Sequence, residues 1–282
     1  MREGYLERDG VRLHWVEWGP PDGGDEPALF CLHGLSSNAL YWSRLAARMP
    51  KRRLVALDQR AHGRSDAPAG GYDSQTLVAD AAFAIGSLGL ARPVIAGHSW
   101  GALIALDLAA SDPGLGSGLA HIDGPGLAMS ARLSWEQAAA IMQPPLPVFR
   151  TREEAWADQA QYLADAWGDD LRDFAEARTV AEDGGFRLTL TAPVRLEILK
   201  AIYAAHPELM WAGVEGPVLL GLAEAGPPMR EWKQQLAEVV AAVRPEAIVR
   251  WYPSAHDIPL ILPDRVAEDL EELCRRVSPA PA

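Results

Sequence analysis

The chain has 282 residues, of which 49% are hydrophobic and 23% charged, and this excludes a disordered composition and permits one large α/β domain or a core domain with an insertion. Its formal net charge of -12 disfavours nucleic acid and anionic membranes as main partners and fits neutral or apolar substrates better than polyanions. The N-terminus lacks the apolar core of a signal peptide, no apolar run approaches membrane-spanning length, and the two cysteines are expected to be buried thiols. We therefore expect a soluble, cytoplasmic protein.

The first third of the chain alternates between strand and helix patterns. Residues 11–18 alternate polar and apolar side chains, as a half-exposed strand does. Continuous apolar runs at 28–32, 53–57 and 93–96 are typical of buried strands, and helices are predicted at 41–48 and 74–88, the latter capped by Thr76 or Ser74. Buried strands that alternate with helices predict a parallel sheet covered on both faces.

The pattern changes after a short strand at 118–123. From 124 to about 213 helical stretches dominate, at 135–142, 152–166 and 194–205. Strands then resume at 217–222 and 247–252, with helices at 231–243 and 264–276. This order predicts a helical insertion into an α/β core.

The pentapeptide Gly97-His98-Ser99-Trp100-Gly101 lies between a predicted strand and an Ala/Leu-rich helix. A serine on such a sharp strand-to-helix turn has its hydroxyl exposed at the top of a sheet, near the backbone N–H groups of the helix start. The context predicts that Ser99 is a nucleophile, although a Gly-x-Ser-x-Gly pattern alone is weak.

Four landmarks in this order resemble the α/β-hydrolase superfamily over nearly the whole chain. They are His33-Gly34, the segment from Asp58 to Asp66, the Ser99 pentapeptide, and the segment from Ala255 to Pro259. The resemblance implies an α/β-hydrolase fold: a mostly parallel eight-stranded sheet with helices on both faces and a helical cap after strand six. It assigns residues 1–124 and 214–282 to the core and 125–213 to the cap.

The resemblance also implies a base for the serine. A serine hydroxyl needs a base within hydrogen-bond reach, and His256 follows the last strand, on a loop that this fold brings over the tip of strand five. The other histidines of the chain fit the role less well by position.

The acid of the triad is an open choice between two residues. Many family members place it after the seventh strand, where this chain has Gly226. Glu224 lies close by, and Asp123 at the end of strand six corresponds to the acid position of some relatives. We favour Asp123, because a strand tip holds a side chain rigidly, and keep Glu224 as the alternative.

The resemblance implies an oxyanion hole made by two backbone N–H groups, those of Leu35 and Trp100. Gly34 would leave space for the substrate carbonyl oxygen. The predicted pocket is lined by the following residues: Gly34, Leu35, Tyr41, Trp42 and Trp100.

These residues predict a serine hydrolase of the carboxylesterase kind, which cleaves a small apolar acyl ester through an acyl-enzyme without a metal or organic cofactor. The protein is expected to act as a monomer or homodimer. Because position 99 is serine, the aspartate-nucleophile epoxide hydrolases and haloalkane dehalogenases are disfavoured.

Alternatives stay open. Lactone and C–C bond hydrolysis use the same machinery. A proline iminopeptidase-like activity would need acidic cap residues to hold a free amine, for which candidates exist: Glu153, Glu154, Asp158, Asp165, Asp169 and Asp170. A non-enzymatic reading is a small-molecule-binding protein on the same fold, suggested by the glycine at 226.

Overall fold

A computed structural model of the chain describes residues 1–21, 26–224, 226 and 229–277. Its strands are β1 (Arg2–Arg8), β2 (Val11–Trp18), β3 (Leu29–Leu32), β4 (Leu54–Leu57), β5 (Val94–His98), β6 (Gly118–Ile122), β7 (Val148–Phe149), β8 (Thr179–Glu182), β9 (Gly185–Leu188), β10 (Val218–Ala223) and β11 (Ile248–Tyr252). Its α-helices are α1 (Ser43–Arg48), α2 (Ser74–Ser87), α3 (Trp100–Ser111), α4 (Trp135–Met142), α5 (Arg152–Leu163), α6 (Arg172–Ala177), α7 (Ala192–Ala204), α8 (Met229–Val243), α9 (Ile258–Ile261) and α10 (Pro263–Arg276).

Eight strands form one sheet in the order β1-β2-β4-β3-β5-β6-β10-β11. The pairs β1–β2 and β2–β4 are antiparallel, and the remaining pairs are parallel. This confirms the predicted mostly parallel eight-stranded sheet. The carboxyl ends of β5, β6 and β11 lie at one edge of the sheet, which is where ligands bind in open α/β sheets.

Both faces of the sheet are buried, because successive side chains of each central strand point to opposite faces. In β3, Phe30 and Leu32 pack into one apolar core with residues of α2 and α3, while Leu29 and Cys31 pack into a second core with residues of α1 and α10. Both cysteines, Cys31 and Cys274, are buried free thiols.

The residues between β6 and β10 contain helices and a small antiparallel sheet in the order β7-β9-β8. The sequence predicted only helices there. The β8–β9 turn has Asp183 at φ 44° and Gly184 at φ 81°, which is the positive-φ pair that a tight hairpin needs. An Asp-Gly pair between two short strands is a hairpin signal, although glycines at 184 and 185 are equally typical of a break between helices.

Two smaller expectations also change. Asp73, not Thr76 or Ser74, caps α2, since its side chain accepts a hydrogen bond from the Thr76 N–H. The strand β1 was not predicted from the sequence. The glycines and prolines of residues 19–24 predict a turn, and the C-terminal residues 278–282 are expected to be frayed; part of the first segment and all of the second lie outside the described residues.

Candidate active site

Ser99 lies at the turn between β5 and α3, in a backbone conformation that only a tightly packed turn maintains. Its φ of 54° and ψ of -123° are unusual for a residue with a side chain. A Cβ on Gly97 would lie 2.2 Å from the Gly101 carbonyl oxygen, and a Cβ on Gly101 would lie 2.3 Å from that of Leu32. The two glycines therefore let strand and helix approach closely enough to form the turn.

His256 lies between β11 and α9, and its Nε2 is 2.9 Å from Ser99 Oγ. Its backbone carbonyl accepts hydrogen bonds from His98 Nε2 at 2.9 Å and from the Ile258 N–H at 2.9 Å. The buried His98 ring also stacks on Tyr41, with centroids 4.7 Å apart. The side chain before the serine thus supports the loop that carries His256.

Asp123 follows β6, and its Oδ2 is 2.7 Å from His256 Nδ1. Its N–H donates to the Gly221 carbonyl at 2.8 Å, so the backbone of Asp123 is hydrogen-bonded to β10. Its Oδ1 accepts a hydrogen bond from the Ala223 N–H at 2.8 Å and pairs with Lys233 Nζ at 2.7 Å. Ser99, His256 and Asp123 therefore form one continuous hydrogen-bonded chain.

The charges of Asp123, His256 and Lys233 shift the pKa values of Asp123 and His256. Burial alone would raise the pKa of the Asp123 carboxyl, but the His256 hydrogen bond and the positive charges of His256 and Lys233 outweigh it and lower that pKa. Burial would likewise lower the pKa of His256, but the bond to Asp123 and the charges of Asp123 and Asp257 outweigh burial and the repulsion of Lys233, so that pKa is raised. Asp123 is thus ionised and accepts from Nδ1–H, which leaves Nε2 free to accept the Ser99 proton.

Glu224, the alternative acid, lies elsewhere. Its side chain is exposed and borders a shallow surface pocket with Arg230 and Trp251, away from His256. Its backbone N–H pairs with the Tyr252 carbonyl at 2.8 Å. The carboxylate that contacts the imidazole is that of Asp123, because β6 ends beside β5, which leads into Ser99, whereas Glu224 lines a different pocket that does not include His256.

The loop after β3 is held by buried histidines. His33 Nε2 accepts the Gln59 N–H at 3.1 Å, and His62 Nε2 accepts the Ser36 N–H at 3.1 Å. Within the described part of the chain, the Leu35 N–H donates no hydrogen bond, and the Trp100 N–H is in the first turn of α3, where helices leave such groups unpaired. The loop therefore presents one free N–H donor and α3 another.

Ser99 and His256 open into a cavity of about 330 Å³, which is within the range of small-molecule sites. Gly34 and Leu35 line it, as predicted, together with Pro144, Pro145 and Leu146 from the segment between α4 and β7. Tyr41, Trp42 and Trp100 do not lie on its wall; they are at most 2% exposed and pack into the core. That part of the predicted pocket is wrong, because these rings close the cores beneath the loop and the helix start instead of facing the substrate.

A family model described as the alpha/beta hydrolase family matches residues 29–269, which includes all three members of the hydrogen-bonded chain. The chain belongs to the α/β-hydrolase family. No helix among the described residues of this α/β-hydrolase is long and apolar enough to cross a membrane.

Curated relatives of this α/β-hydrolase have diverse names. It is 35% identical over 101 residues to a 2-(acetamidomethylene)succinate hydrolase of Mesorhizobium japonicum, covering 36% of each chain, and 38% identical over 109 residues to a non-heme chloroperoxidase of Streptomyces lividans, covering 38% of each. It is also 35% identical over 111 residues to epoxide hydrolase 4 of Mus musculus, covering 38% of this chain and 30% of the relative. The chain thus matches only about a third of the length of these relatives.

Solved structures match over almost the whole chain. A thioesterase domain from the curacin biosynthetic pathway has a TM-score of 0.79 at 21% identity, covering 96% of this chain and 99% of its own. A crystal structure of E-2-(acetamidomethylene)succinate hydrolase has a TM-score of 0.78 at 23% identity, covering 96% and 99%. At such identities the likeness establishes the fold alone.

Three residues of the site had no recognisable signal in the sequence of this α/β-hydrolase. Lys233 lies within α8, and Arg178 and Arg195 lie in the segment between β6 and β10. Isolated basic residues in helices are usually solvated, and nothing in the local pattern distinguishes these three. All three are far from Ser99 along the chain, so the sequence gives no indication that Lys233 contacts Asp123 or that the two arginines line the cavity.

Proposed function

We propose that the protein is a serine hydrolase that cleaves carboxylic esters or related acyl substrates through an acyl-enzyme. The observation that carries the proposal is the continuous chain from Ser99 Oγ through His256 to the Asp123 carboxylate, at 2.9 and 2.7 Å. This is the arrangement by which an imidazole acts as a general base toward a serine hydroxyl.

In the proposed reaction His256 Nε2 takes the Ser99 proton while Oγ attacks the substrate carbonyl carbon. The negative charge that develops on the carbonyl oxygen is stabilised by the N–H groups of Leu35 and Trp100. His256 then gives its proton to the leaving alcohol, and the carbon–oxygen bond to that alcohol breaks. A water molecule, deprotonated by the same His256, attacks the acyl-enzyme and releases the acid and free Ser99.

The residues at the site argue against two of the alternative activities and do not separate the others from ester hydrolysis. Of the acidic cap residues considered for binding a free amine, only Asp158 lines the described pocket, and it lies beside Arg178, which argues against an iminopeptidase. A serine at position 99 argues against the aspartate chemistry of epoxide hydrolases, despite the similarity to proteins with that name. Lactone and C–C bond cleavage need the same residues and differ only in substrate.

The proposal is tested by following hydrolysis of p-nitrophenyl acetate and butyrate by the wild-type protein, Ser99→Ala and the control Ser87→Ala, whose serine is exposed on α2. We expect Ser99→Ala to lose at least about 10³-fold in kcat/KM, since the nucleophile is removed, and Ser87→Ala to equal wild type. Labelling with a fluorophosphonate should place the adduct on the peptide that contains Ser99. Turnover that persists in Ser99→Ala would exclude the proposed nucleophile, and an inactive wild type would favour a binding protein.

A further inference from the structure

Two arginines from the segment between β6 and β10 face the cavity that contains Ser99 and His256. Arg178 follows α6 and Arg195 lies in α7, and both line this cavity. Both are half-buried. Two positive side chains beside the nucleophile are unexpected in a protein whose formal net charge is -12.

Hydrogen bonds to the protein use only part of each guanidinium group. Arg178 Nε donates to the Ser36 carbonyl at 2.8 Å. Arg195 Nε donates to the Met142 carbonyl at 2.8 Å, and its Nη1 donates to Ser36 Oγ at 2.5 Å. A guanidinium has five N–H donors, and these bonds use only some of them. Both Nη atoms of Arg178 and Nη2 of Arg195 have no hydrogen-bond partner among the described residues. These free donors belong to groups on the cavity wall.

Among the described residues, the acidic neighbours of the two arginines do not form ion pairs with them. Burial lowers the pKa of Arg178, against the favourable charges of Asp158, Asp257 and Tyr162. Burial and the repulsion of Arg178 lower the pKa of Arg195, and no acidic residue opposes them. No carboxylate of the described residues forms an ion pair with either arginine, and Asp158 and Asp257 are the acidic side chains on this wall.

We propose that the cavity binds acyl substrates that carry a second, ionised carboxylate away from the scissile carbonyl, and that Arg195 and Arg178 hold this carboxylate. The proposal rests on the proposed function for the reaction at Ser99. A planar carboxylate matches the fork of a guanidinium and would satisfy the free donors of both groups. Because Asp158 and Asp257 share the cavity, a singly charged group is favoured over a phosphate dianion. The apolar wall of Leu146 and Leu188 suits the carbon chain between the two carbonyl groups.

The test compares monoethyl esters of malonate, succinate, glutarate and adipate with neutral ethyl esters in which an isopropyl group replaces the free carboxylate. We expect at least one wild-type kcat/KM to exceed that of its neutral counterpart by about 10- to 100-fold, the usual value of a hydrogen bond to a charged group. Arg195→Met and Arg178→Met should each remove most of this preference, mainly through KM. The preference is taken as the ratio of kcat/KM for the carboxylate ester to kcat/KM for its neutral counterpart in the same variant, so that a general loss of activity through the shared contact with Ser36 cancels. Arg195→Lys should retain part of the preference.

The matched control is Arg152→Met, because Arg152 is an exposed arginine of α5 that pairs with Glu176 and does not line the cavity. It should keep the full preference, and thermal unfolding of each variant checks that it folds. If no carboxylate ester is preferred, or if the preference survives both cavity substitutions, the inference is wrong.

Failure of this inference is distinguishable from failure of the proposed function. Neutral esters that are cleaved in a Ser99-dependent way, without any preference for a carboxylate, would overturn the inference alone. If no ester is cleaved, the proposed function fails, and calorimetric titration with glutarate decides the inference separately. Binding to wild type that is lost in Arg195→Met would support it, and no binding, or equal binding to both proteins, would overturn it.

Discussion

The backbone conformation of a single residue, Asp123, determines which carboxylate contacts His256. Asp123 has a φ of 47°, a conformation that aspartate tolerates better than most residues, and this turns its side chain from the tip of β6 toward the imidazole. The N–H of Ala223 and the ammonium of Lys233 hold its other oxygen. The acid is therefore fixed by three partners from three segments of the chain, while Gly226 at the usual position has no side chain to offer.

Replacing Asp123 by asparagine is expected to lower kcat by about 10³- to 10⁴-fold, because the amide cannot stabilise the imidazolium or select the Nδ1–H tautomer. Steady-state hydrolysis of p-nitrophenyl butyrate measures this. Glu224→Gln is the matched control and should stay within about twofold of wild type, since Glu224 is exposed. The opposite pattern, with activity lost only in Glu224→Gln, would show that the acid is Glu224.

Lys233 is expected to tune His256 through charge. Its ammonium lowers the pKa of His256, so Lys233→Met should raise that pKa further. His256 acts as a base only when neutral; the acidic limb of the kcat/KM profile should therefore move to higher pH in this variant. Profiles from pH 5 to 9 measure the shift, with the exposed Lys200→Met on α7 as control. A limb that moves to lower pH, or does not move, would contradict a role for Lys233 through charge.

At the scale of elements, the β5–α3 turn and the β8–β9 hairpin depend on backbone conformations that few residues adopt. The first was predicted from its glycine spacing. The second was missed because its strands are short, with four residues each, and neither strand alternates between buried and exposed side chains, so periodicity gives little signal. The helices that were predicted lie within a few residues of their positions in the structure, since apolar spacing and breaks at glycine and proline mark them, whereas the short helices α6 and α9 were not predicted.

The hairpin gives a stability prediction. Gly184 has a φ of 81° and open space around its Cα, so Gly184→Ala should destabilise the fold by about 1 kcal/mol through backbone strain alone. Gly86, within α2, has equally open space and no positive φ, and Gly86→Ala should stabilise by about 0.5–1 kcal/mol. Denaturant unfolding measures both. Equal effects in the two variants would show that neither backbone conformation matters.

At the scale of the molecule, the site is assembled from segments far apart in sequence. The β5, β6 and β11 ends supply Ser99, Asp123 and the His256 loop, because parallel strands have their carboxyl ends at the same edge of the sheet. The segment between β6 and β10 adds Arg178 and Arg195 to the lining of the cavity. The overall acidity predicts neutral or apolar substrates, but the cavity beside Ser99 is lined by two arginines as well as by Asp158 and Asp257, so its local charge differs from that of the whole chain.

The sequence by itself determined the fold family, the serine on its turn and the histidine after the last strand, because these depend on local patterns and on the order in which strands and helices follow each other along the chain. Only the tertiary structure decided which carboxylate reaches His256, which aromatic rings leave the pocket for the core, and which basic side chains enter it. Those outcomes depend on distances between residues that are far apart in the chain, and no local pattern records such distances.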